Sequence, residues 1–151
     1  MKTIITIFAL ALGTSLSNAQ TVKEAEVPVP VKEAFKKAYP NAKIEKWEKE
    51  GPNFEAEFKV GKIENTATYD GSGNLVMKEV EIKVSELPKA ITDYINTKMK
   101  GKKAEEASKM TYADGKINFE VEVDDVDYIF DDKGNFIEKE VESDKKEDDK
   151  K

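Results

Sequence analysis

From Val27 onward the apolar positions recur at helical spacing, then switch to strict alternation, and this change of period happens twice. In the first pass Val31, Ala34, Phe35 and Ala38 share one helical stripe, with Lys32, Glu33, Lys36 and Lys37 on the other side. Val27-Pro28-Val29-Pro30 blocks an earlier start and suits a first helical turn, and Pro40 stops the helix. In the second pass Leu87, Ile91, Ile95 and Met99 form the stripe. Ser85 is the predicted N-cap, Pro88 falls in the first turn, and Gly101 marks the end. Both stripes are expected to cover the molecule's own sheet.

Beyond each helix the period becomes two. Phe54, Ala56 and Phe58 alternate with Glu55, Glu57 and Lys59; later Phe119, Val121 and Val123 alternate with Glu120, Glu122 and Asp124. Such alternation belongs to antiparallel strands with one face buried and the other wet. Turn signals at Gly51-Pro52-Asn53, Gly61-Lys62, Gly71 to Asn74, Asp114-Gly115 and Gly134-Asn135 divide the remainder into about four strands per pass.

An internal repeat underlies this doubling. Residues 69–81 align without gaps on residues 130–142, with seven identities, from Asp70/Asp131 through Gly73/Gly134 and Asn74/Asn135 to the run Lys78-Glu79-Val80-Glu81 against Lys139-Glu140-Val141-Glu142. The predicted fold is therefore α+β. Two tandem units, residues 27–82 and 83–142, each a helix plus a four-stranded antiparallel meander, form a sheet of about eight strands with helices on one face.

Lys2 followed by the apolar run Ile4 to Leu12 reads as a signal peptide, too short to span a bilayer. Ser17-Asn18-Ala19 offers a cleavage site after Ala19, which predicts a periplasmic or secreted product; no cysteine follows to carry a lipid anchor. Residues 20–26 are then a linker, and Ser143 to Lys151, all small or charged, a disordered tail. The net charge is −6, and loss of Lys2 takes it to −7, which argues against nucleic acid as a partner.

The absence of three residue types narrows the chemistry further. The chain has no His, no Cys and no Arg, so all 25 basic residues are Lys. That excludes a Ser-His-Asp triad, ordinary zinc or copper centres, disulfides and thiol redox chemistry. Carboxylates, lysines, tyrosines and hydroxyls remain, and no catalytic constellation stands out among them. Gly71-Ser72-Gly73 leads into a strand, so it makes no phosphate loop.

Two sets of residues are candidates for binding. Glu55, Glu57, Glu120 and Glu122 lie on the wet strand face, joined by Ile129, which falls on the polar parity beside Asp127 and is a candidate exposed apolar spot. An acidic face of this kind suits a protein partner with a basic patch. The alternative is calcium, through Asp124, Asp125, Asp127, Asp131 and Asp132 if the turns converge, although the sixth position counted from Asp131 is Phe136 and not the glycine of an EF-hand loop. The Asp70 and Asp131 turns also read simply as hairpin loops.

The openings Val31-Lys32-Glu33-Ala34-Phe35-Lys36-Lys37-Ala38-Tyr39-Pro40-Asn41-Ala42 and Leu87-Pro88-Lys89-Ala90-Ile91, with the Tyr69 to Leu75 and Phe130 to Phe136 hairpins, resemble a family of exported bacterial proteins. It is the beta-lactamase-inhibitor-like, PepSY-like family, and the resemblance runs from about Val27 to Glu142. It implies helix-plus-four-strand units whose combined sheet offers an open surface, which the inhibitor namesakes use to grip an enzyme. PepSY-type domains are associated with restraining proteases or sensing at the envelope. The expectation is a non-catalytic binding or inhibitor-like module without a cofactor, contacting an envelope enzyme or receptor.

Overall fold

The structure, a computed structural model, describes residues 19–141. The predicted signal peptide, Ala19 apart, and the charged tail lie outside the described residues. The elements run β1 (Gln20–Val22), a 3-10 turn (Glu24–Glu26), α1 (Val29–Ala38), β2 (Lys43–Glu50), β3 (Asn53–Val60), β4 (Ile63–Asp70) and β5 (Leu75–Ile82). A second 3-10 turn (Val84–Glu86) follows, then α2 (Lys89–Lys98), β6 (Glu106–Tyr112), β7 (Ile117–Glu122), β8 (Val126–Asp131) and β9 (Phe136–Val141). Among the described residues the fold is α+β, with two α-helices and an open antiparallel sheet of nine strands in chain order.

Nine strands stand where about eight were expected. Residues 20–26, read as a linker, supply β1 and the first 3-10 turn; β1 pairs with β2 through Gln20↔Lys49, Thr21↔Glu48 and Val22↔Trp47. Three residues are too few for alternation to show, so only the pairing partner reveals the strand.

Contacts group the described residues into two compact units, one of residues 19–81 with Met110–Lys116, the other of Ile82–Lys109 with 117–141. In the first, Val31 and Phe35 of α1 pack on Trp47, Phe54, Ala56 and Phe58. Phe58 is the hub: its ring centre lies 4.9 Å from that of Phe35 and 4.4 Å from that of Tyr39. In the second, Ile91 and Ile95 of α2 cover Ala107, Val121, Val123 and Phe130. Both stripes read from the sequence thus face the apolar side of their own strands.

The helix starts differ from expectation in one respect. Ser85 is not the N-cap; it lies inside the second 3-10 turn, and the cap position of α2 falls on Pro88. Proline has no acceptor side chain, and the chain is turned just upstream instead, where the Lys83 N–H donates to Glu86 Oε2 at 2.9 Å. Lys23 and Glu26 make the same bond at 2.9 Å before α1.

The repeated hairpins dock on these helix starts. Asp70 Oδ1 accepts from the N–H groups of Ser72 and Asn74, each at 2.9 Å, and Oδ2 accepts from Asn74 Nδ2 at 2.8 Å. Asp131 repeats the set with Lys133 and Asn135. Gly73 and Gly134 follow at φ +85 and +83, and a Cβ there would stand 2.6 Å from Pro30 O and 2.5 Å from Ala90 Cβ respectively. Glycine is needed for the left-handed backbone and for the closeness of turn to helix.

Candidate functional site

The side of β2–β5 turned away from α1 is organised in two cross-strand rows. Pairing sets Lys46, Glu57, Thr66 and Glu79 side by side in one row, and Glu48, Glu55, Thr68 and Met77 in the next. Short loops fix this register. Glu50↔Asn53 closes β2 on β3 across Gly51 and Pro52, and Val60↔Ile63 closes β3 on β4 across Gly61 and Lys62.

This face is not the wet surface that alternation predicted. Glu55, Glu57 and Glu120 are only 3%, 9% and 7% exposed, Ile129 is 6% exposed, and Glu122 is half-buried. On β2–β5 the rows carry long side chains on β2, β3 and β5 around the threonines of β4, and bulges between Ile44 and Lys46 and between Thr68 and Tyr69 bend the strands, so neighbouring side chains shield one another. Ile129 is flanked in register by Glu120 and Glu138, next to a further bulge at Phe130, and is covered rather than an exposed apolar spot.

Burial brings three carboxylates together. One oxygen from each of Glu48, Glu55 and Glu57 lies within 4.8 Å of the others. Lys46 Nζ stands 2.7 Å from Glu57 Oε1 and 3.1 Å from Glu48 Oε1, while Thr68 Oγ1 donates to Glu55 Oε2 at 3.0 Å. One ammonium faces three acids. Burial, then the negative charge of Glu79, pushes the Glu55 carboxyl well above the usual carboxylate range, and the bond from Thr68 offsets only part of this. Burial also raises Glu57, against the opposing pull of Lys46. At Lys46 the cost of burial is outweighed by hydrogen bonds and charge from Glu57 and Glu48, so its ammonium titrates above the ordinary value.

The sequence had marked Glu55 and Glu57 but not Lys46, Glu48, Thr66, Thr68 or Glu79. A signal for Lys46 and Glu48 was present: both flank Trp47, whose indole belongs to the helix-facing core, so both must point the other way. Their nearness to Glu55 and Glu57 needed the register.

The five aspartates proposed as an alternative calcium site do not converge. Asp124 and Asp125 form the two-residue turn between β7 and β8, at φ 53 and 58, and Asp124 pairs with Lys102 at 3.0 Å. Asp127 lies within β8 opposite Glu122. Asp131 closes β8 at its other end, about 20 Å of strand away from Asp125, and spends its carboxylate on its own loop, where Asp132 is exposed. The Asn135 side chain, above all, holds Asp131 below the usual carboxylate range.

A family model described as "Putative beta-lactamase-inhibitor-like, PepSY-like" matches residues 15–76 and again residues 52–138. The chain belongs to this family. No curated protein matches it. Among solved structures, this PepSY-like chain is similar to a "putative periplasmic" protein of Bacteroides eggerthii, at TM-score 0.66 and 19% identity over 76% of this chain and 88% of that one. A DUF2874 family protein of Bacteroides uniformis superposes at TM-score 0.65 with 20% identity, covering 75% and 88%. A BLIP-like protein of Bacteroides fragilis gives TM-score 0.59 with 25% identity, covering 82% and 92%. The family description names an inhibitor-like group and no reaction.

Proposed function

We propose that this PepSY-like protein is a non-catalytic binding module of the bacterial envelope, exported by its N-terminal leader, which holds a protein partner that presents a basic patch. The observation that carries the reading is the surplus of negative charge on the polar face of β2–β5, where Lys46 ion-pairs with two of the trio Glu48, Glu55 and Glu57. Such a surface attracts cationic groups and raises their encounter rate. In the other unit, Glu120 and the half-buried Glu122 of β7 are candidate contacts in their own right.

The geometry favours binding over hydrolysis. A glycosidase places a sugar bond between its two carboxylates; here the Lys46 ammonium already stands between Glu57 and Glu48, at 2.7 and 3.1 Å. The chain has no imidazole or thiol to serve instead. The inhibitor-like description of the family and the periplasmic description of one structural relative support the compartment and the mode of action.

The test is capture from envelope extract by the purified protein and by a variant with Glu48, Glu55 and Glu57 all changed to Gln, followed by titration of the captured partner at low and high salt. The reading expects the partner only with the wild type, and an affinity that falls as salt rises. Equal capture by both proteins overturns it.

A further inference from the structure

We propose that Glu48, Glu55 and Glu57, with the hydroxyl of Thr66, form a calcium site that Lys46 fills in the absence of the ion. The first argument is one of dimensions. The three carboxylate oxygens lie within 4.8 Å of one another, so an ion at their centre stands at most about 2.8 Å from each, and a small inward turn of the side chains brings all three to the calcium–oxygen distance of about 2.3–2.6 Å. Magnesium, at about 2.1 Å and with strict octahedral demands, would need the strands to draw together.

The second argument is independent of the acids. Thr66 is 6% exposed and its Oγ1 has no hydrogen-bond partner. It lies in the same row as Glu57, its direct cross-strand neighbour, and the pleat turns its side chain to the carboxylate face. Thr68, one row over, has its hydroxyl committed to Glu55, so the open acceptor of Thr66 is what the local network leaves for a ligand. Every donor at the cluster is oxygen, and the chain offers no imidazole or thiolate to recruit a softer metal. Carboxylates binding through one or both oxygens, the Thr66 hydroxyl and water supply the six to eight ligands calcium takes.

Lys46 explains how the acids remain together without an ion. Its side chain is 24% exposed and lies on β2, the strand next to β1 at the edge of the sheet, so its flexible stem has a route to solvent when a divalent ion displaces the ammonium. Calcium in this position would neutralise the charge to which a basic partner is drawn. The two readings fail separately, since ion binding is measured on the protein alone.

The experiment is calorimetric titration of the purified protein with calcium chloride and, in parallel, magnesium chloride, with thermal unfolding as a second readout. The variants are Lys46→Met, Glu55→Gln, Thr66→Val and the pair Asp124→Ala with Asp125→Ala. The expected result is one calcium per chain with Kd on the order of 10⁻⁴ to 10⁻³ M, and tighter binding in Lys46→Met, which lacks the ammonium that competes for Glu57 and Glu48. Glu55→Gln should weaken binding at least about tenfold and Thr66→Val severalfold, each folded by near-ultraviolet circular dichroism, while the aspartate pair should bind as the wild type does. No heat and no thermal shift in either the wild type or Lys46→Met at about 10 mM calcium, unchanged binding in Glu55→Gln, or loss of binding in the aspartate pair overturns the proposal.

Discussion

Replacing Lys46 by Met tests the electrostatic account of the carboxylate cluster most directly. Methionine keeps most of the apolar stem and removes the ammonium, leaving Glu57 and Glu48 buried without the partner now 2.7 and 3.1 Å away. Stripping one partner from a fully buried pair costs about 3–5 kcal/mol, and an exposed pair is worth at most about 1 kcal/mol. With the lysine side chain 24% exposed and the two glutamates at 9% and 12%, the loss should be about 2–3 kcal/mol near pH 7.5 in the presence of chelator. Urea unfolding followed by the single Trp47, buried in the α1 core, reads it out. The pH dependence is the sharper part. Glu57 already titrates above its ordinary value in the fold, and without Lys46 it should rise further. A raised carboxyl disfavours the fold once pH climbs past the unfolded value of about 4.3 and imposes no cost below it. The deficit of the variant should therefore shrink toward zero as pH falls to about 4, and Glu57→Gln introduced beside Lys46→Met should recover most of it at neutral pH. A deficit of the same size at every pH would mean lost packing instead, and no deficit at neutral pH would mean the ammonium is not what holds the acids.

Further predictions follow from single contacts. Tyr69 is buried on the α1 side with its hydroxyl unpartnered, and burial first, then Tyr39, pushes the phenol up to about 12; Tyr69→Phe should raise stability by about 1 kcal/mol in the same urea assay, and a loss would show a bond the structure does not have. Gly134→Ala places a Cβ 2.5 Å from Ala90 Cβ at φ +83, and should cost about 2–4 kcal/mol by thermal unfolding. Gly115→Ala, at φ +87 with no atom near its Cβ, separates the terms and should cost only about 1–2 kcal/mol. For Asp70 and Asp131, both lowered chiefly by the Asn74 and Asn135 side chains, the stabilising contribution is present above the unfolded value of about 3.9 and is lost as pH drops through the lower folded value. Carbon-detected titration of the two carboxyls should show midpoints below the unfolded value of about 3.9, and midpoints at or above it would deny the loop bonds.

The opposite signs of these shifts matter for the protein as a whole. Glu55 and Glu57 cost the fold nothing below the unfolded value of about 4.3 and weaken it as pH rises past that value, whereas the two hairpin aspartates weaken it only under stronger acid. Stability is thus expected to be greatest somewhat below neutrality. The two groups also differ in purpose. The aspartates satisfy donors within their own turns and lock each hairpin to a helix start, a structural task complete within the chain, while the glutamate trio carries charge that Lys46 only partly answers.

The sequence by itself determined the local structure and the sidedness of each element. The 3.6-residue stripes of Val31/Phe35 and Ile91/Ile95, the two-residue alternation through Phe54 to Phe58 and Phe119 to Val123, and the Asp-Gly-Asn turns all depend on interactions within a few residues, so they are legible in order along the chain. The same locality explains what was missed. β1 is defined only by its partner β2, and Ser85 looked like a cap because the 3-10 turn closed by Glu86 has no apolar period. Only the tertiary structure decided that the polar face is buried and that Lys46, Glu48, Glu55, Glu57 and Thr66 share one place. Register across three strands is a nonlocal property, and once cross-strand neighbours stand about 5 Å apart within a row they shield one another from water, whatever each strand's alternation says alone.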